Sequence, residues 1–82
     1  MSATVFHFRK YRFFFFSREE TRRHVHVRCS DGEAKFWIDP AVELAVNYGL
    51  SQKELNELEK VVREQADEIR DRWDEHFRNA GG

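Results

Sequence analysis

From Arg23 to Cys29 polar and apolar side chains alternate, with Val25, Val27 and Cys29 on one parity and His24, His26 and Arg28 on the other. A period of two is the pattern of a β-strand with one buried face. Ser30-Asp31-Gly32-Glu33 follows at once. Asp-Gly is a strong hairpin signal, because a type I′ turn needs φ > 0 at both central residues. Such a turn predicts Cys29 opposite Ala34, Val27 opposite Phe36 and Val25 opposite Ile38 on an apolar face. The other face then carries His24 opposite Asp39, His26 opposite Trp37 and Arg28 opposite Lys35.

Upstream, Thr4 to Ser17 is rich in β-formers. A strand is expected through Tyr11–Ser17, with Thr4–Phe8 either its start or a preceding edge segment. In it Tyr11, Phe13 and Phe15 point one way and Arg12, Phe14 and Phe16 the other, so both faces are aromatic. A sheet with one wet face does not need this, so a covering partner is expected. Residues 17–22 read as a charged connection.

Beyond the hairpin, Asp39-Pro40 ends the ladder, since proline cannot donate to it. Val42, Leu44, Val46 and Tyr48 alternate with Glu43, Ala45 and Asn47, which favours a fourth strand. A short helix opening at Pro40 is the rival, because Ala41, Leu44, Ala45 and Tyr48 share a helical face. Ser51 and Glu54 then form a capping box, with Leu50 and Leu55 placed as a hydrophobic staple. Leu55, Leu58, Val62, Ala66, Ile69, Trp73 and Phe77 make one apolar stripe. At 1.5 Å per residue the helix spans about 40 Å, against about 23 Å for a seven-residue strand. Its last turns, with Trp73 and Phe77, are therefore expected to overhang toward a partner.

The pattern predicts an α+β fold in one domain over residues 1–82. An antiparallel β-meander of three to four strands (about 4–48) packs against one long C-terminal helix (about 51–79). The 82 residues leave room for one two-layer core, and such small cores often gain stability from association. No apolar run approaches the roughly 20 residues of a membrane span, and no leader pattern opens the chain. One cysteine cannot form an internal disulfide, which suits a cytoplasmic protein. Net charge of −1 hides an asymmetry: residues 1–40 hold eight Lys/Arg against five Asp/Glu, and residues 41–82 six against ten. The sheet half is modestly basic, well short of a dedicated nucleic-acid binder.

Candidate chemistry gathers on the polar face of the hairpin. His24 and His26 are candidate acid/base groups, with Asp39 as a group that orients His24. Arg12, Arg23 and Arg28 are candidate phosphate ligands, as in metal-free RNA cleavage by the RNA's own 2′-hydroxyl. The plainer reading, two satisfied imidazoles on a wet or partner-covered face, carries more weight. A His-x-His pair also suits a metal, but Cys29 points to the opposite face, and Asp39, His7 or Glu19 join only through tertiary contact. Neither a metal nor a cofactor is expected. Cys29 reads as a small core residue and His76 as a cation near a helix C-terminus. Phe13 to Phe16 and Trp37 could stack bases between Arg12 and Arg28, but packing against protein is the simpler account.

Four stretches carry a family resemblance: His24-Val25-His26-Val27, Ala34-Lys35-Phe36-Trp37-Ile38, Val42-Glu43-Leu44-Ala45, and Gly49-Leu50-Ser51 leading to Arg72-Trp73-Asp74-Glu75-His76-Phe77. Over nearly its whole length the chain resembles the bacterial domain-of-unknown-function family 4160. The resemblance implies a small bacterial protein, often encoded beside a member of family 2442, in pairs likened to toxin–antitoxin modules. The expected function is a protein–protein interaction module, as a homodimer or with a small protein from an adjacent gene. Phe14, Phe16, Trp37, Trp73 and Phe77 are the expected contacts. The alternative is a metal-independent ribonuclease-like toxin or an RNA-binding protein using the His24/His26 face.

Overall fold

A computed structural model of the chain describes residues 2–16 and 22–81. Five strands, β1 (Ser2–Phe8), β2 (Tyr11–Phe16), β3 (His24–Cys29), β4 (Gly32–Trp37) and β5 (Glu43–Tyr48), precede two helices, α1 (Gln52–Glu64) and α2 (Ala66–Gly81). The strands form one antiparallel sheet in chain order, β1 to β5. The fold is the expected α+β meander, with a strand more and a broken helix. The extra strand is Ser2–Phe8, which turns at Arg9-Lys10 and pairs with β2 as an edge. Residues 43–48 are strand, the preferred of the two readings.

The β3–β4 register differs from the expected one by two residues. Cys29 pairs with Gly32, Val27 with Ala34, Val25 with Phe36, His26 with Lys35 and His24 with Trp37. The reversal is at Ser30-Asp31, and among the described residues φ is positive only at Arg9 and Gly49, so the type I′ turn at Asp31-Gly32 does not form. Gly32 has another duty. A Cβ there would stand 2.0 Å from the Tyr48 carbonyl oxygen. The residue is glycine because β5 crowds it, and not because a turn needs it.

A two-residue slip preserves the parity of β3 and β4. Val25, Val27, Phe13, Phe15, Ala34 and Phe36 line the core with Leu55, Leu58, Val62, Ala66, Ile69 and Trp73 of the helices. Both edge strands carry a register shift, between Thr4 and Phe6 in β1 and between Lys35 and Phe36 opposite β5. The second shift undoes the alternation expected of 42–48. Leu44 pairs with core-facing Phe36, whereas Val46 pairs with Lys35 on the opposite face.

The helix starts as expected. The Ser51 hydroxyl accepts from the Glu54 amide, and the Glu54 carboxylate accepts from the Ser51 amide. It is interrupted at Gln65, whose φ of −104° and ψ of 11° lie outside helical values. The two halves meet different parts of the sheet. The end of α1 reaches the start of β5 through Arg63 and the Val42 carbonyl. From there α2 crosses the strand ends in turn: Arg70 meets Asp39, Asp74 meets Arg23, and Trp73 meets His24 and Phe15. The i→i−4 ladder runs on through the interruption, from the Gln65 amide to the Val61 carbonyl and from the Ile69 amide to the Gln65 carbonyl. The expected overhang is corrected, since Trp73 is only 6% exposed.

Candidate binding face

The sheet face away from the helices is built in rows by the ladder. One row runs His7, Arg12, Arg28, Glu33, Tyr48, and the next Thr4, Phe14, His26, Lys35, Val46. His24, Trp37 and Glu43 pair in a third at the end of the sheet, where the His24 ring is buried against Trp73 of α2. Phe14 is the hub. Its ring lies 5.5 Å from the His26 ring, with the Arg12 guanidinium over it at 4.8 Å and that of Arg28 at 6.0 Å. The Trp37 ring is likewise held between Arg22 and Lys35, each 4.3 Å from its centroid. Such stacks are worth about 0.5–1 kcal/mol each at exposed sites. They explain how a face this cationic and this aromatic coheres.

Burial separates the expected contact residues. Phe14 is 2% exposed and Trp73 is packed edge-on against Phe15 at 5.3 Å, so both belong to the folded interior. The half-buried Phe77 ring lies tilted at 43° against that of Trp73, 4.3 Å away. Phe16 is 41% exposed and Tyr48 is 66% exposed. These two line a shallow depression of about 210 Å³ with His26, Arg28, Lys35 and Val46. Tyr48, Val46 and Lys35, which line the depression, were not among the expected contacts. The alternation within β5 already paired Val46 with Tyr48, but which strand lay beside them was not legible.

The candidate catalytic group is not assembled. His24 is completely buried, its Nδ1 2.7 Å from the Arg22 carbonyl oxygen and its ring 4.9 Å from that of Trp73. His26 is half-buried, its ring 5.0 Å from that of His24 and 4.5 Å from that of Phe16. Asp39 does not face His24. Its two carboxylate oxygens accept from Arg23 at 2.8 Å and Arg70 at 2.9 Å, and Arg23, then Arg70, lower its pKa. Arg23 also donates to Asp74 at 2.7 Å. It is thus a tie between sheet and helix, whereas Arg12 and Arg28, the other two arginines of the expected set, pair across β2–β3.

At the other end of the molecule Cys29, Asp31 and Glu54 bring potential metal-ligand atoms within 4.8 Å of one another. The two carboxylates share the Lys10 ammonium, at 2.7 and 3.1 Å, so the cluster is already charge-compensated. The Ser51 amide, more than Lys10, lowers the Glu54 pKa to about 2. Burial first, and then the hydrogen bond to Glu54, raises that of Tyr11. Of the residues weighed for a His-x-His metal site, Asp39 is taken by arginines, His7 stands across β1–β2 from Arg12, and Glu19 lies outside the described residues. His76 packs against Phe15 and Phe77 beside a cleft of about 490 Å³ between β1 and α2, and its buried Nε2 has no hydrogen-bond partner.

No helix among the described residues is long and apolar enough to cross a membrane. Comparison with curated proteins and with solved structures returned no match. A family match runs over residues 11–74, taking in the hairpin, the aromatic face and the helix break. With most of its length matched, the chain belongs to the family described as "Domain of unknown function (DUF4160)".

Proposed function

We propose that this chain is a single-domain protein–protein interaction module that works through its uncovered sheet face, as one member of a toxin–antitoxin-like pair. The observation that carries this reading is the exposure of Phe16 and Tyr48 around one depression, on the face that the helices leave uncovered. Exposed aromatic side chains rimmed by polar groups are what protein contacts use as anchors. The edges of the sheet are poorer candidates. Each edge pairing carries a register shift, a device that discourages strand addition. The partner is a small protein, the product of the adjacent gene in the arrangement the family resemblance implies, or a second copy of the chain. A cytoplasmic setting fits the single unpaired cysteine.

The test is the mass in solution of the chain alone and mixed with the adjacent gene product, measured by light scattering. Tyr48→Asp and Phe16→Asp should each abolish the complex while leaving the helical circular dichroism intact. A complex of unchanged mass in both variants overturns the reading. Phe14 is unsuited to this test, because a charge at a 2% exposed position attacks the fold itself.

A further inference from the structure

We infer that the depression between Phe16 and Tyr48 takes an acidic protein segment, with one apolar side chain seated in the depression and carboxylates on Arg28 and Lys35. This rests on the interaction reading above and adds the chemistry of the partner. The floor and walls are Phe16, Ala34, Val46 and Tyr48, which suit an aliphatic or aromatic side chain. Among the described residues the rim carries Arg28 and Lys35, with His26 beside them, and the carboxylate of Glu33. Arg28 and Glu33 are 3.2 Å apart with both side chains well exposed. An ion pair of that kind is worth about 0–1 kcal/mol, so an incoming carboxylate can share or replace Glu33. The long-range field agrees. The chain is basic over residues 1–40 and acidic over 41–82, and the helices belong to the acidic half. A negatively charged segment is drawn to the sheet side and repelled from the helix side.

A single-stranded nucleic acid is also anionic, but the rings argue for protein. Stacked bases need open aromatic faces. Here the Phe14 face is occupied by Arg12, and Trp37 lies between Arg22 and Lys35. Among the described residues the exposed rings, Phe16 and Tyr48, border a depression the size of one side chain.

The experiment measures fluorescence anisotropy with the full chain and three labelled probes. These are a short peptide with one Leu-Phe pair among Glu and Ser residues, the same peptide with Lys for Glu, and oligouridylate RNA. The acidic peptide should bind at least about tenfold more tightly than the basic one, and weaken as salt rises. Arg28→Glu combined with Lys35→Glu should reverse the preference, which a merely unfolded variant cannot do. Tyr48→Ala should weaken both peptides. Equal binding of the two peptides, no binding of either, or tighter binding of the RNA overturns the inference. Should Tyr48→Asp break the natural complex while the acidic peptide is ignored, the charge assignment falls and the interface remains.

Discussion

His24 and Trp73 face each other with ring centroids 4.9 Å apart, joining the first residue of β3 to the second helix. A histidine expected on the working face is therefore part of the joint between sheet and helix. Loss of such a buried ring removes packing and leaves the Arg22 carbonyl without its partner. His24→Ala should cost about 2–4 kcal/mol in urea unfolding, and His26→Ala less than about 1.5. Equal costs would show that His24 is not the joint. Any loss of function in His24→Ala must then be read after its loss of fold.

Gly32 separates two accounts of the hairpin. Were it a turn residue with positive φ, Gly32→Asn would be tolerated, because asparagine accepts that conformation. With its Cα against the Tyr48 carbonyl, any Cβ drives β5 away. Gly32→Ala and Gly32→Asn should each lose about 3 kcal/mol or more in denaturant unfolding. A stable Gly32→Asn would restore the Asp-Gly turn.

Asp39 gathers Arg23 from the sheet and Arg70 from α2. Its pKa is lowered, by Arg23 foremost, so its stabilising share is complete at neutral pH. That share is lost as pH falls below the ordinary carboxylate value of about 4 and through the lowered one. Asp39→Asn should flatten the acid limb of a stability–pH curve and cost about 1 kcal/mol at pH 7. An unchanged acid limb would contradict the pairing.

Glu54 links the helix start to the β1–β2 turn, accepting from the Ser51 amide, Tyr11 and Lys10. Its pKa, about 2 against an ordinary 4.5, places this contribution above about pH 4.5, with loss as pH falls toward 2. Ser51→Ala should remove about 1 kcal/mol by thermal or chemical unfolding. Glu54→Gln should be destabilising at pH 7 and nearly neutral at pH 2. A Glu54→Gln penalty that does not vary with pH would refute the assignment.

Much of this protein was legible before its coordinates. The parity of β3, the aromatic parity of β2 and the capping box at Ser51 are local properties, set by side-chain alternation and by one hydroxyl within reach of one amide. The parity of β3 was therefore determined by sequence alone, but not the burial of His24, its first residue, against Trp73. Nor was the partner of each β3 residue across the ladder. A period of two is unchanged by a slip of two, so the pattern could not choose between turns at Ser30-Asp31 and Asp31-Gly32. That choice came from β5, a strand distant in sequence that presses the Tyr48 carbonyl on Gly32. The same holds for the site. That Asp39 meets Arg23 and Arg70 and not His24, and that Trp73 lies against His24, follows from where α2 crosses the strand ends. A stripe of apolar residues states which side of a helix is buried, and only the sheet it meets decides which strand each turn touches.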